Sequence, residues 1–149
     1  NLTGENQVVR LAEYISDNKV PISSAYSIAR AAVRVGKENK LDPLLILAVV
    51  EKESTFRVNA ASPSRRHHGL MQVDTRIHRE KIREAGGFKT AQQQIQVGVA
   101  VLLEYVEETG SLRAAMRKYS GGDRMYFADV ERRRKKLQRL LATRELMNS

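Results

Sequence analysis

The sequence predicts an all-α protein, and three observations lead to that prediction. Apolar residues recur at helical spacings and never alternate cleanly over the length of a strand. Aromatic residues make up only 5% of the chain, so the core must be built from Leu, Ile, Val and Ala. A length of 149 residues with an apolar share of 42% is enough for one modest core. We therefore expect a single helical domain over residues 1–149.

Three helices are predicted in the N-terminal third. The first has apolar residues at i, i+3, i+4 and i+7, namely Val8, Leu11, Ala12 and Ile15. The second is expected to begin after Pro21 with Ser23 as its N-cap, and Gly36 lies near its end. Asp42 and Pro43 have the residue types of an N-cap and a first helical residue for the third helix. That helix is apolar around nearly its whole circumference, which predicts a central, buried position.

Helical patterns weaken and then return in the second half of the chain. Residues 56–69 are rich in Asn, Ser, Pro, Arg and His and predict a long loop, a feature that is usually functional or mobile in a compact domain. Helical signals resume after Thr75, strengthen over residues 91–108 and continue over residues 111–119. The pair Gly121–Gly122 then predicts a break before a last helix.

The last helix and the net charge together suggest an anionic partner. The helix is predicted to begin at Asp123 and to place the basic run Arg132–Lys136 largely opposite its apolar residues, Val130, Leu137, Leu140 and Leu141. The run is most simply a solvated face, although it could hold the domain on an anionic wall or membrane surface. Lys and Arg outnumber Asp and Glu by 26 to 17, a net charge of +9. Nucleic acid, acidic lipid and bacterial cell wall are all suitable partners.

Several classes of site are disfavoured or excluded. The chain has no Cys, so it can form neither a disulfide nor a thiolate zinc site. His67, His68 and His78 lack paired carboxylates at ligand spacing, so we expect no metal and no cofactor. The longest apolar run is too short to span a membrane. Because the chain begins with Asn1 rather than Met, we expect a trimmed or processed segment whose export signal or anchor would lie upstream.

Glu53 is the leading candidate for a catalytic residue. With Ser54 it follows the apolar run 44–50, and a glycine turn begins at Gly69, sixteen positions further along the chain. A carboxyl group beside an apolar helix has a raised pKa, as a general acid requires. A Glu in the last turn of a helix is, taken alone, more often a solvated surface residue. Glu51 is the rival, on the other side of the helix, where Lys52 or a basic partner could simply neutralise it.

Six short motifs in a fixed order carry a family resemblance. They are Ala48-Val49-Val50-Glu51-Lys52-Glu53-Ser54-Thr55-Phe56, with Asn59-Ala60 and Ser62-Pro63 after it; Gly69-Leu70-Met71-Gln72; Gln94-Ile95-Gln96-Val97-Gly98 with Leu102; and Tyr119-Ser120-Gly121-Gly122. Together they resemble the soluble lytic transglycosylase family, which has a goose-lysozyme-like fold. The resemblance implies a motif core at about residues 41–122, with N-terminal helices over 5–40 and a basic C-terminal helix over 123–146 packed around it.

The chain departs from the family pattern at three places around the expected groove. The loop before Gly69 is one residue longer than usual, and Arg65-Arg66-His67-His68 replaces a small Gly-Ala element. Val73 replaces the Pro that commonly follows Met-Gln. Ser120 and Gly121 replace the Asn and Ala of the Tyr motif. These departures concern substrate detail and regulation more than fold.

The resemblance implies cleavage of the β-1,4 bond between N-acetylmuramic acid and N-acetylglucosamine in peptidoglycan, leaving a 1,6-anhydro end. Glu53 would be the sole catalytic acid and base, and it would be kept protonated by apolar residues on its helical face. The implied substrate-binding residues are Ser54, Ser62, Gly69, Met71, Gln72, Tyr119 and Ser120. Among them Tyr119 would hydrogen-bond near the acid, Met71 and Gln72 would line the sugar sites, and Gly69 would permit the turn that presents them. Ser54 would orient the helix end.

Two other functions stay open. The same fold could be a glycan-binding or scaffold module in which the altered loop has silenced catalysis. A basic helical nucleic-acid-binding domain is favoured only by charge, since the chain lacks a helix-turn-helix signature and an aromatic platform. We expect a monomer whose partners are peptidoglycan glycan strands, not nucleic acid. Its expected location is the periplasm, the cell envelope, the exterior or a virion.

Overall fold

The computed structural model describes residues 4–147, and side chains as far as residue 143. Helices account for most of this part of the chain: α1 Gly4–Ser16, α2 Ile22–Asn39, α3 Pro43–Ser54, α4 Arg79–Glu84, α5 Ala91–Thr109, α6 Leu112–Tyr119 and α7 Tyr126–Met147. Two short strands, β1 His67–His68 and β2 Val73–Asp74, pair in antiparallel orientation. The predicted all-α class is confirmed. None of the described helices is both long and apolar enough to cross a membrane.

Helix α3 is the central helix, as its composition predicts. It begins with Pro43 after the N-cap Asp42, whose side chain accepts a hydrogen bond of 2.8 Å from the backbone N–H of Leu44. All seven residues from 44 to 50 are at most 7% exposed. The helix packs against α2 on one side and α7 on another, which explains why it needs apolar residues around its circumference. Its last turn carries Ser54, which is buried, and Glu53, which is half-buried.

Helix α2 begins two residues earlier than expected, and Ser23 is not its N-cap. The N-cap position is Pro21, which has no capping side chain. The carbonyl of Pro21 already accepts a 2.9 Å hydrogen bond from the N–H of Ala25, so Ser23 lies inside the first turn. Near the other end, a Cβ on Gly36 would lie 2.6 Å from the carbonyl oxygen of Leu41. This glycine allows the connection to α3 to pass close to α2.

The helices of the second half follow the predicted boundaries closely. Helix α5 begins after Thr90, which forms a capping box with Gln93. Ser111 caps α6 by accepting a hydrogen bond from the N–H of Ala114 at 3.1 Å. Helix α7 begins at Tyr126, three residues later than predicted, because Asp123 is used in the preceding turn. Its carboxylate accepts a 2.9 Å hydrogen bond from the N–H of Met125.

The antiparallel hairpin lies partly within the predicted long loop and was not predicted. Two-residue strands are too short to show an alternating pattern, so no sequence signal identifies them. An isolated bridge between Ala61 and His68 extends the pairing by one residue on the other side of β1. Between the strands, Gly69 has a φ of +80° and Gln72 a φ of +50°. The turn between these two residues folds inward, and Leu70 is buried.

The basic run of α7 is only partly the solvated face that the sequence favours. Arg133 and Lys136 approach the carboxylate of Glu51 on α3, with nitrogen–oxygen distances of 3.0 and 3.5 Å. Arg134 pairs with Glu131 at 2.6 Å along the same helix. The run is therefore a solvated surface on one side and the ionic contact between α7 and α3 on the other. One hydrophobic cluster extends through α1, α2, α3, α5, α6 and α7.

Candidate active site

A cleft of about 620 Å³ opens beside the last turn of α3. Its walls come from three parts of the chain: the end of α3, the hairpin with the turn beside it, and the segment from α5 to the start of α7. Its polar and aromatic lining residues are Lys52, Glu53, Ser62, Arg66, His67, Gln72, Asp74, His78, Tyr105, Lys118, Tyr119, Ser120, Asp123 and Tyr126. Glu53 is half-buried in this cleft.

Glu53 has the electrostatic setting of a proton donor. Burial raises its pKa above the ordinary value for Glu. Three contributions oppose this increase without cancelling it: a hydrogen bond from Tyr126 and the charges of Lys52 and His67. The ammonium group of Lys52 is itself paired with the carboxylate of Asp129 at 2.8 Å. Glu53 therefore holds its proton to a higher pH than a solvated Glu does.

Tyr126 is the closest protein partner of Glu53, and sequence reasoning missed it. Its hydroxyl donates a 2.5 Å hydrogen bond to Oε2 of Glu53, across 73 positions of sequence. Burial, with the nearby Glu53 carboxylate, raises the pKa of Tyr126, so the phenol stays a neutral donor. The sequence did contain a signal for a buried Tyr126: this residue lies one helical turn before Val130 and continues the buried stripe of α7. A buried Tyr on such a stripe needs a hydrogen-bond partner.

Tyr119 lies beside the acid without bonding to it. Its hydroxyl donates a 2.5 Å hydrogen bond to the carbonyl oxygen of Met71, and its ring centroid is 6.4 Å from that of Tyr126 and 6.4 Å from that of Tyr105. Burial raises the pKa of Tyr119 well above its ordinary value, and the nearby Glu53 adds to the increase. Tyr119 therefore connects the glycine turn to the aromatic wall of the cleft.

Met71 is a core residue in this structure. It is 1% exposed, and a Cβ on Gly98 of α5 would lie 2.4 Å from its sulfur. The glycine of α5 thus makes the space that the Met71 side chain occupies. Only the backbone carbonyl of Met71 is directed to a residue of the cleft, through the bond from Tyr119. The Met71 side chain was expected to line the sugar sites, but it is buried in the core instead.

Gly69 and Gln94 fix the turn that carries Gln72. A Cβ on Gly69 would lie 2.5 Å from Oε1 of Gln94, and this oxygen accepts a 2.8 Å hydrogen bond from the N–H of Leu70. The amide nitrogen of Gln94 donates to the carbonyl of Val58 at 3.0 Å, so one buried side chain joins the turn to the segment after α3. Gln72 lines the cleft, as expected, while Gly69 lies behind it.

The three serines have different positions relative to the cleft. Ser54 is 7% exposed and donates a 3.0 Å hydrogen bond to the carbonyl of Val50, which stabilises the end of α3 rather than the cleft surface. Ser62 and Ser120 both line the cleft. The hydroxyl of Ser62 accepts a 3.1 Å hydrogen bond from the N–H of His67, and that of Ser120 accepts one of 3.1 Å from the N–H of Asp123. Both serines therefore hold the loops at the rim.

Glu51, the rival acid, lies outside the cleft. It is 6% exposed, and its carboxylate accepts a hydrogen bond from the Tyr14 hydroxyl and contacts Arg133 at 3.0 Å. Lys136 adds a third contact, at 3.5 Å. The negative charge of Glu51 is therefore neutralised by basic residues of α7 and not by Lys52, which pairs with Asp129. The structure assigns Glu51 to the ionic contact between helices and leaves Glu53 facing the cleft.

Asp74 is a second carboxylate in the same cleft. Burial alone would raise its pKa, but hydrogen bonds from the N–H groups of Ile77 and Arg76, with the charges of Arg66 and His67, hold the pKa below its ordinary value. Asp74 therefore loses its proton at a lower pH than Glu53 does. Two carboxyl groups whose pKa values are displaced in opposite directions are typical of an acid and base pair.

The histidines give no support to a metal site. His78 lines the cleft and is 7% exposed, and burial followed by the charge of Lys81 lowers its pKa. His68 Nε2 lies 2.7 Å from the carbonyl oxygen of Arg65, within the hairpin. Over the residues that the structure describes, no group of three or more His, Cys, Asp or Glu side chains is arranged to hold a metal ion.

Comparison with known families decides the classification. The family profile described as Transglycosylase SLT domain matches residues 30–141, about three quarters of the chain. The chain belongs to the transglycosylase SLT domain family. No curated protein and no solved structure gives a match. The matched range includes the whole cleft, from Lys52 to Tyr126. Members of this family act on bacterial cell-wall glycan, so the family points to a peptidoglycan substrate for this transglycosylase domain.

Removing the Tyr126 hydroxyl should displace the pH dependence of the transglycosylase upwards. The hydrogen bond from Tyr126 stabilises the ionised form of Glu53 and lowers its pKa. In Tyr126→Phe the Glu53 pKa rises further, so the loss of activity on the alkaline side should occur at higher pH. The measurement is kcat/KM against pH for both proteins. An alkaline limb that stays in place or moves to lower pH would contradict this role for Tyr126.

Proposed function

We propose that this protein is a lytic transglycosylase that cleaves the β-1,4 bond between N-acetylmuramic acid and N-acetylglucosamine and leaves a 1,6-anhydro end. The observation that carries the proposal is a half-buried Glu53 with a raised pKa, hydrogen-bonded to a neutral Tyr126 in a cleft of about 620 Å³. This volume is in the range of sites that enclose small ligands. The substrate is a peptidoglycan strand, and the place of action is the cell envelope.

In the proposed reaction one carboxyl group acts twice. Protonated Glu53 first gives its proton to the bridging oxygen as the glycosidic bond breaks, and the N-acetyl carbonyl of the muramic acid stabilises the positive anomeric carbon. The Glu53 carboxylate then takes the proton of the 6-hydroxyl as that oxygen bonds to the anomeric carbon. The proton is thereby returned to Glu53, and water is not consumed. Tyr126 supplies a hydrogen bond that favours the ionised intermediate state of Glu53.

The other predicted site residues have two roles in this proposal: some can contact the glycan at the rim of the cleft, and others position the turn behind it. Gln72, Ser62 and Ser120 lie where they can contact the glycan directly. Tyr119 and Gly69 position the turn that carries Gln72. The amide nitrogen of Gln72 donates to the carbonyls of Gly69 at 2.9 Å and Ala60 at 3.2 Å, so its side chain is held in place. We infer one catalytic domain that acts as a monomer.

Hydrolysis is the second candidate, and Asp74 is the observation that favours it. An ionised carboxylate in the same cleft as a protonated one could activate water, as in inverting glycosidases. Against this role, one oxygen of Asp74 already accepts hydrogen bonds from the N–H groups of Arg76 at 3.0 Å and Ile77 at 3.3 Å. These bonds give Asp74 a structural role, because they stabilise the turn after β2.

Product analysis distinguishes these functions. Purified sacculi are digested with the protein in water enriched in heavy oxygen, and the soluble muropeptides are examined by mass spectrometry. We expect anhydro ends, lighter by one water than reducing ends and free of the label. Labelled reducing ends that disappear in Asp74→Asn would establish hydrolysis instead. Binding to sacculi without any soluble product would favour the glycan-binding module.

A further inference from the structure

The hairpin beside the cleft carries two adjacent basic side chains, Arg66 and His67, and both line the cleft. Both residues are exposed. They belong to the segment Arg65–His68, which replaces the small residues expected at this place and forms β1 with the turn before it. The segment thus puts positive charge on the wall of the glycan cleft.

The hairpin is held in one conformation by its own hydrogen bonds. The N–H of Ser62 donates to the carbonyl of His67 at 2.9 Å, and the N–H of Arg65 donates to the carbonyl of Ser62 at 2.8 Å. Arg65 has a φ of +60°, a left-handed conformation that is uncommon for a residue other than glycine. A conformation of this kind persists where the surrounding structure enforces it, and such positions cluster at ligand sites. The backbone that carries the basic pair is therefore preorganised.

Lys52 and Lys118 in the cleft are held by close anionic partners, whereas Arg66 has only a looser ion pair. Lys52 is bound to Asp129 at 2.8 Å, and Lys118 is bound to Glu108. The nearest carboxylate to Arg66 is Asp74, with 3.8 Å between Nε and Oδ2, and 63% of the Arg66 side chain is exposed. Within the described part of the chain, neither the Arg66 guanidinium nor the His67 ring has a side-chain hydrogen-bond partner. Both remain available to an anionic ligand.

We propose that Arg66 and His67 bind carboxylates carried by the glycan strand, and thereby select substituted peptidoglycan over a neutral glycan. This inference rests on the proposed function. An Arg guanidinium recognises a carboxylate through two parallel hydrogen bonds. The strand offers carboxylates from two sources: the peptide stems on muramic acid, and the lactyl group itself once a stem has been removed. N-acetylglucosamine oligomers offer none.

Binding to three oligosaccharides of equal length tests the proposal. The first is an N-acetylglucosamine oligomer, the second a muramic acid oligomer with free lactyl carboxylates, and the third the same oligomer with intact peptide stems. Dissociation constants are measured by calorimetry in the Glu53→Gln background, so that no ligand is cleaved. We expect carboxylate-bearing ligands to bind on the order of fivefold more tightly than the neutral one. A preference for both charged ligands identifies the lactyl group as one source, and a preference for the third alone identifies the stem.

Variants of the hairpin and a matched control complete the test. We expect a weaker preference for carboxylate-bearing oligosaccharides in Arg66→Gln and in His67→Gln. Arg66→Lys should keep part of the preference that Arg66→Gln loses. Arg83→Gln should leave it unchanged, because Arg83 lies on α4 outside the cleft with its side chain 77% exposed. Equal binding of neutral and charged ligands, or a preference that survives both Gln variants, overturns the inference while the proposed function stands. If the unmodified protein leaves sacculi intact and none of the oligosaccharides binds, the proposed function is itself wrong.

Discussion

Replacing Glu53 with Gln should lower kcat on purified sacculi by about 10³-fold, because a neutral amide can neither donate the first proton nor accept the second. Gln has nearly the same shape and can still accept the hydrogen bond from Tyr126, so the cleft should keep its geometry. The measurement is the rate of release of soluble muropeptides at saturating substrate. Glu84→Gln is the matched control, since Glu84 is exposed on α4. Activity within tenfold of the unmodified protein would exclude Glu53 as the catalytic acid.

The same variant should also change the pH dependence of stability. The pKa of Glu53 is raised on folding, so its contribution to stability is fully present only below the unfolded pKa. That contribution is lost as pH rises through the folded pKa, because the buried carboxylate must then ionise. Glu53→Gln should therefore have a Tm above that of the unmodified protein at pH 7, and the difference should shrink as the pH is lowered. A Tm below that of the unmodified protein at pH 7 would show that the charge stabilises the fold.

Replacing Glu51 with Ala should have the largest effect on stability, about 3 kcal/mol of the free energy of unfolding. The carboxylate is 6% exposed and accepts contacts from Arg133 at 3.0 Å, from Lys136 at 3.5 Å and from the Tyr14 hydroxyl. Its removal leaves a half-buried guanidinium facing α3 without an anion. For a chain of this length the loss corresponds to a decrease in Tm of roughly 6–12 °C. Denaturant unfolding at constant pH gives the free energy directly.

The control for this prediction is an exposed ion pair within α7, the helix that supplies the basic partners of Glu51. Arg132 contacts Asp129 with 69% of its side chain exposed, so Arg132→Ala should cost at most about 1 kcal/mol. Glu51→Ala should keep its activity per folded molecule at low temperature, because Glu51 does not line the cleft. Equal losses of stability in the two variants would show that the inter-helix contact contributes little. A folded but inactive Glu51→Ala would place Glu51 in the reaction.

Local sequence rules predicted the framework well. Asp42 and Pro43 at the start of α3, and the apolar run that follows, depend only on residues within one or two turns of each other. The helix starts at Ala91 and Leu112 also lie at or within one residue of the predicted ones, and the structure places the caps Thr90 and Ser111 beside them. One wrong prediction of a helix start also has a local cause. Ser23 has the chemistry of an N-cap, but the carbonyl of Pro21 begins the helical hydrogen bonds earlier.

The candidate site was predicted less completely than the fold. Glu53 and Gln72 line the cleft, whereas Met71 turns into the core because Gly98 on α5 leaves room for its sulfur. No pattern within residues 69–72 shows which way the Met71 side chain points, because its direction depends on Gly98, more than twenty positions further along the chain. The hairpin partner of the Arg65–His68 segment was missed for a related reason. Two-residue strands are defined by their pairing rather than by their own sequence.

The sequence by itself determined that the chain is helical, that α3 is its buried centre and that Glu53 lies in the last turn of that helix. These properties arise from periodicity, caps and composition, which act over a few residues. Only the tertiary structure decided which groups meet: Tyr126 with Glu53 across 73 positions, and Arg133 with Glu51 across 82. The physical reason is that α7 crosses the end of α3, and this crossing separates two glutamates two residues apart into a structural anion and a candidate acid.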